Sequence, residues 1–166
     1  SNQIKCNNII NLYDAIKERK HSEYGYLKKY HNYHLGESCF LIGNGPSLKT
    51  SDLDRIRRES ILSFGCNRIY KIFDKTDWRP DYYVVFDSMM YETKPENLDN
   101  MEFFVRDFIE RRDENGNINY FKCKSESYYP GYPKFSDDLT EGIYSGRTVM
   151  YAMLQIAVYM GIKIIY

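Results

Sequence analysis

The sequence predicts an α/β fold, a three-layer sandwich around a mainly parallel sheet, preceded by an N-terminal helical segment. Three observations carry that prediction. Short continuous apolar runs recur around Cys39–Ile42, Ser60–Gly65 and Asp81–Asp87, each ending in a polar or glycine-bearing turn, as buried parallel strands do. Helical signals lie between or after these runs, a capped and acidic first turn over residues 52–58 and apolar residues at helical spacing over 148–160. A length of 166 residues suits one domain with a substantial core.

The elements follow in chain order. Residues 4–31 carry Ile9, Ile10, Leu12, Tyr13, Ile16 and Leu27 among charged residues, a spacing suited to one or two amphipathic helices. Leu35-Gly36 interrupts that pattern, so residues 1–36 read as a helical extension and 37–166 as the main domain. Cys39-Phe40-Leu41-Ile42 forms the first strand and runs into Gly43-Asn44-Gly45-Pro46. Ser51 as N-cap and Asp52 and Asp54 in the first turn favour a helix over 52–58. Ser60–Gly65 gives the second strand, with Cys66-Asn67 at its end, and Asp81–Asp87 the third. Glu102-Phe103-Phe104-Val105 reads as a fourth, before a polar stretch over 111–119 centred on Asn115-Gly116, a strong turn signal. Tyr, Pro and Ser content makes 125–140 an irregular loop or small lid. Val149, Ala152, Met153, Ile156, Ala157 and Met160 share a helical face, Gly161 caps that helix, and Ile162–Tyr166 opens another strand that stops short. The domain therefore reads as truncated at its C-terminus.

Composition excludes several functions. The 23 basic and 23 acidic residues cancel, and residues 88–116 carry a net charge of −4, so the chain lacks the basic footprint of a nucleic-acid binder. Without the roughly 18 apolar residues of a membrane span, or an apolar signal core, the expected location is cytoplasmic, with peripheral membrane attachment left open. Cys6, Cys39, Cys66 and Cys123 form no C-x-x-C pair, which leaves reduced, structural thiols. His31 and His34 could share a helical face, but no carboxylate or Cys stands at ligand spacing, so no metal site is expected there.

Ligands of open parallel sheets bind at the carboxyl ends of the strands, which directs attention to the residues closing each apolar run. Gly43, Asn44, Gly45 and Ser47 follow the first strand, where glycines let backbone N–H groups approach a phosphate or ribose. Leu48 occupies the third glycine position of a dinucleotide fingerprint, and no Gly-Lys-Ser/Thr follows, so neither that motif nor a P-loop is present. A plain tight turn is the competing reading. Asn67 and Asp87 close the next two strands on the same edge, each able to bond a hydroxyl or base, or merely to cap a turn. Ser145, Gly146 and Arg147 precede the long helix, where free N–H groups favour an anion; simple capping by Ser145 is the plainer alternative. Trp78 and the tyrosines at 128, 129 and 132 could stack on a sugar or base, although burial is the commoner fate of such rings.

Three ordered motifs resemble known families: Cys39–Leu48, then Phe64-Gly65-Cys66-Asn67-Arg68-Ile69-Tyr70, then Ile143–Gly146 with Ala152–Lys163. Over roughly residues 38–166 the chain is similar to the Rossmann-like MptE-like family, named for a 6-hydroxymethylpterin diphosphokinase, and to the bacterial sialyltransferases of glycosyltransferase family 42. The resemblance implies a nucleotide-sugar site with CMP-sialic acid as donor. It places Asn44 and its flanking glycines as the donor loop, Asn67 after the second strand, and Ser145-Gly146 against the nucleotide. Asp87 falls where the sialyltransferases carry Asn, and their general base is a His beyond the last strand, past Tyr166, so no catalytic residue transfers onto this chain.

The expected function is accordingly a glycosyltransferase that uses a nucleotide sugar and a glycan acceptor in surface-polysaccharide synthesis, with no cofactor required. The alternative is ATP-dependent diphosphoryl transfer to a pterin-like alcohol, which requires Mg²⁺ and would look to Asp87 and Asp137-Asp138 for carboxylates. A non-catalytic nucleotide-binding module is the third class. Homo-oligomerisation stays open.

Overall fold

The computed structural model describes residues 23–87, 89, 101–107, 117–124 and 134–166. The core of the architecture is a six-stranded sheet in the order β5-β4-β3-β2-β1-β8, every neighbouring pair parallel. Its strands are β1 (Ser38–Leu41), β2 (Leu62–Cys66), β3 (Tyr82–Val85), β4 (Glu102–Arg106), β5 (Ile118–Phe121) and β8 (Ile164–Ile165). Two further strands, β6 (Cys123–Lys124) and β7 (Ile143–Tyr144), pair with each other in parallel. The helices are α1 (Thr50–Arg58) and α2 (Val149–Tyr159), with 3-10 helices at Gly25–Tyr30 and Asn67–Ile72.

Alternation along the strands sorts the core into two layers. Phe64, Tyr82, Val84, Phe104 and Phe121 face α2 with Ala152, Met153 and Ile156, whereas Tyr83, Val85, Phe103, Val105 and Tyr120 face α1 with Leu53 and Ile56. Strands buried on both faces explain why the sequence shows continuous apolar runs instead of alternation. The three-layer expectation is borne out.

The described part of the N-terminal segment is a 3-10 helix whose Leu27 and Tyr30 are buried in the α2-side layer. It thus contributes to the core of the sheet domain. Residues 4–22 of the expected amphipathic helices lie outside the described residues. Tyr26 extends this docking: its hydroxyl donates to the Tyr120 carbonyl at 2.7 Å and accepts from the Tyr120 N–H at 2.8 Å. One side chain thereby satisfies both backbone groups of Tyr120 on the edge strand β5, where an unpaired edge would invite association.

Local departures from expectation have physical reasons. α1 begins at Thr50 with Lys49 at the N-cap and no side-chain cap, so Ser51 lies inside the helix. Entry is fixed instead by a hydrophobic staple: Leu48 before the cap and Leu53 in the first turn pack in the same cluster. Thr148, and not Ser145, caps α2, accepting from the Met150 N–H. Gly161, at φ +80°, ends it in a Schellman arrangement, with Gly161 N–H donating to Val158 O and Ile162 N–H to Ala157 O. β5 occupies the end of what reads as a polar stretch, because Asn119 interrupts the apolar pattern. Its side chain is nevertheless buried and paired, Nδ2 donating to Phe103 O at 3.1 Å and to Glu102 Oε1 at 2.9 Å. The Asn115-Gly116 turn and residues 125–133 of the expected loop lie outside the described residues, while 134–142 are irregular as expected.

Trp78 is buried, its indole N–H donating to Ser63 Oγ at 3.2 Å, so it serves the core and not a ligand. Tyr128, Tyr129 and Tyr132 lie outside the described residues. Cys39, Cys66 and Cys123 are free thiols, and burial pushes Cys39 and Cys66 up to about 12. Such thiols stay protonated and unreactive at neutral pH. Phe104 is fully buried on the central strands. Phe104→Ala should cost about 3–5 kcal/mol, measured by urea unfolding with the single tryptophan, Trp78, as fluorescence reporter.

Candidate functional site

Because all six strands run parallel, their carboxyl ends converge on one edge. The chain reverses its direction of strand addition between β1 and β8, so the crevice of such a sheet opens beside the end of β1. There Gly43 approaches the first turn of α2, where a Cβ on Gly43 would meet Met150 Sδ at 3.6 Å. A Cβ on Gly45 would meet only its near neighbour Ser47 Oγ, at 3.7 Å. Neither glycine adopts a positive φ. Packing and backbone geometry would therefore admit side chains at both positions, and a tight turn alone does not account for the glycines. Ser47 is exposed on the same loop.

Asn44 ties this loop to the next strand. Its Nδ2 donates to the Cys66 carbonyl at 3.0 Å, and the Cys66 thiol in turn lies 3.6 Å from Ile42 O. The β1 and β2 ends are thus linked by a side chain beyond the last ladder bond. Asn67 follows immediately and is left-handed, at φ +47°. Its carbonyl accepts from the Tyr83 hydroxyl, which pins the turn to β3, and burial raises the Tyr83 phenol well above its usual range. Asn67 Oδ1 is different. Among the described residues it is the one buried side-chain nitrogen or oxygen with no hydrogen-bond partner. Leaving such an acceptor dry and unpaired costs about 1–3 kcal/mol, and the left-handed backbone adds to that at the same residue.

Asp87 lies two residues past β3, exposed, with Oδ1 accepting from the Met89 N–H at 2.9 Å. This is the Asx turn weighed from the sequence, and it leaves Oδ2 facing outward without a partner among the described residues. Ser145 is half-buried, its Oγ accepting from the Arg147 N–H at 3.1 Å in a turn that leads to the Thr148 cap. Gly146, at φ +48°, would place a Cβ 2.3 Å from the Tyr151 ring, so folding alone requires a glycine there. The edge collects Asn44, Asn67 and Asp87 on consecutive strands and brings the α2 first turn to Gly43. Among the described residues no hydrogen bond joins Asn44, Asn67, Asp87 and Ser145 to one another.

Two further residues emerge from the structure. Gln155, fully buried in α2, accepts from Ser136 N and Tyr144 N, both at 3.0 Å, and donates to Tyr144 O at 2.8 Å and Tyr151 O at 3.0 Å. It holds the strand that delivers Ser145. A polar residue inside an otherwise apolar helical face was the available signal. Arg106 ends β4, with its guanidinium 4.8 Å from the centre of the Phe86 ring, and the strand-end rule applied to Glu102–Asp107 would have found it.

Asp138 is engaged elsewhere, its Oδ1 accepting from the N–H and hydroxyl of Thr140 at 2.9 and 2.7 Å. The described residues hold no group of three or more His, Cys, Asp or Glu side chains disposed to bind a metal. His34 bridges Glu37 Oε2 at 3.1 Å and the Tyr82 hydroxyl at 2.7 Å. No helix among the described residues is long and apolar enough to cross a membrane.

The chain matches a family described as 6-hydroxymethylpterin diphosphokinase MptE-like, over residues 7–166. No curated protein and no solved structure matches the chain.

If Gln155 organises the loop as its four bonds imply, Gln155→Leu leaves the Ser136 N–H and both backbone groups of Tyr144 without partners. At about 1–3 kcal/mol per buried orphan, a loss of about 3 kcal/mol in urea unfolding is expected, with faster amide exchange at Tyr144.

Proposed function

The chain belongs to the MptE-like family, and from that premise we propose that its carboxyl edge binds a nucleotide for group transfer, with ATP-dependent diphosphoryl transfer to a hydroxymethylpterin-like alcohol as the reaction. The observation that carries the binding part is Asn67. A strained residue with a buried, unpaired acceptor, at the end of a central strand beside a glycine loop that packing leaves open, has the makings of a contact to a ligand N–H or O–H. The family match carries the choice of reaction.

In the proposed chemistry the alcohol oxygen attacks the β-phosphorus of ATP, the bond from that phosphorus to the α–β bridging oxygen breaks, and AMP leaves while the hydroxyl proton is lost. Mg²⁺ would enter with ATP as part of the substrate. Such a complex needs only one or two protein carboxylates, since phosphates and water complete its octahedron. The outward Oδ2 of Asp87 fits that limited demand. Gly43, Asn44, Gly45 and Ser47 would offer backbone and hydroxyl contacts to phosphate or ribose, and the Ser145-Gly146 turn would supply N–H groups beside the start of α2.

Calorimetry with ATP, CMP, UDP and GDP, each with and without Mg²⁺, tests the reading. Tightest binding of ATP with a requirement for Mg²⁺ is expected. Metal-independent preference for CMP would instead favour the nucleotide-sugar reading and overturn the diphosphokinase one. Asn67→Gly adds a second check: glycine tolerates the left-handed backbone, so stability should hold, while nucleotide affinity falls about tenfold for one lost contact. Unchanged affinity would remove Asn67 from the site.

A further inference from the structure

The strands β2 to β5 begin at the amino edge, opposite the nucleotide site, and there the structure holds an open cleft of about 650 Å³. Its walls are aromatic and acidic. Tyr30 and Tyr82 pack their rings edge to face at the base, and Asp81 and Glu102 border them. Each carboxylate uses only one of its oxygens internally. Asp81 Oδ2 accepts from the N–H and hydroxyl of Ser63 at 2.8 and 3.3 Å, and Glu102 Oε1 accepts from the Tyr30 hydroxyl and Asn119 Nδ2. Asp81 Oδ1 and Glu102 Oε2 accept from none of the described residues. The same holds for Asn117 Oδ1, whose amide nitrogen is committed to Met101 O at 3.1 Å.

The lysine of the cleft is Lys29, which lies 3.5 Å from Glu102 Oε1 and 4.7 Å from the centre of the Tyr30 ring, while the Tyr33 hydroxyl and the His34 ring also line the cleft, both ring nitrogens of His34 being engaged by Glu37 Oε2 and the Tyr82 hydroxyl. A cation of the chain itself already rests against the ring and carboxylate, more than half exposed and held by one long contact. His34 is matched by its partner Glu37, so one lysine stands against the two carboxylates of the lining and leaves a net negative charge. Glu102 remains ionised: burial raises its carboxyl, but hydrogen bonds from Tyr30 and Asn119 and the charge of Lys29 bring it below its ordinary value. An anionic ligand meets repulsion here, and a neutral one leaves the charge unmatched. The spare carboxylate and amide oxygens are acceptors, they stand at the starts of three strands, and the surface between them is aromatic. A planar, weakly hydrated cation with several N–H donors matches all three features, whereas a compact ammonium offers its donors from a single point.

We propose that the amino-edge cleft is a binding site for a small organic cation bearing a guanidinium group, held by Asp81, Glu102 and Asn117 against the tyrosine rings and independent of the nucleotide edge.

Titration of ¹⁵N-labelled full-length chain with propylguanidinium, against its neutral isostere propylurea, tests this by NMR. Propylguanidinium should give saturable shifts at Tyr82, Glu102 and Asn117 with a Kd on the order of millimolar, as suits so small a ligand, and propylurea should bind at least about tenfold more weakly. Asp81→Asn should weaken binding, yet it also alters the Ser63 contacts. Lys29→Gln is the cleaner variant: it removes the resident cation from an exposed position, so propylguanidinium should bind about three- to tenfold more tightly. Equal affinity for propylurea, shifts confined to the carboxyl edge, no saturation by about 50 mM ligand, or unchanged affinity in Lys29→Gln would each overturn the proposal.

Discussion

The parallel direction of all six strands is the constraint on which the rest of this structure depends. A parallel sheet gives its two edges different chemistry, because every strand delivers its last residue to one side and its first to the other. Here Leu41, Cys66, Val85 and Arg106 end side by side, so the residues after them, scattered over more than sixty positions of sequence, become neighbours. The return of the chain through α2 to β8 on the far side of β1 opens the crevice next to the glycine loop. Both candidate sites follow from this sidedness, one at each edge.

Polar satisfaction is distributed unevenly over the two halves of the carboxyl edge, and the unevenness is informative. Gln155 is buried completely and pairs both ends of its amide, which makes the loop before α2 rigid without exposing anything to solvent. Asn67, by contrast, buries an acceptor that nothing in the described structure meets. One amide is saturated with four bonds and another keeps an open acceptor beside an unobstructed glycine loop, so unused hydrogen-bonding capacity is concentrated in that half of the edge. Asn44 spans the two situations: its amide nitrogen braces the β2 carbonyl, so its contribution to the loop is structural as well as any it makes to a ligand.

Much of the fold was legible because its signals were local. Continuous apolar runs ending in Gly43, Cys66-Asn67 and Asp87 gave three strands and their common edge, and the helical face from Val149 to Met160 gave α2 with its glycine stop. The rest depended on long-range partners that a sequence does not display. β5 was hidden because Asn119 looks like a turn residue until Glu102 and Phe103 are placed beside it. Ser145 and Thr148 are both plausible caps, and only the backbone decides between them. The role of Tyr26 as a substitute strand partner involves a residue 94 positions away. At the candidate site the identity of Asn67 was readable, but its left-handed backbone and orphaned oxygen were not, and the proposed ligand contact rests on these.

The central claim is that the carboxyl edge, at the junction of the β1 loop, Asn67 and the start of α2, is where nucleotide binds. Backbone amide shifts of the labelled protein, recorded as MgATP is added, test it most directly. Saturable changes are expected at Gly43, Asn44, Gly45 and Ser47, at Asn67 and at Gly146 to Met150, with the amino-edge residues Asp81 and Glu102 unmoved. Saturable changes centred on the amino edge, with the glycine loop and Asn67 silent, would contradict it.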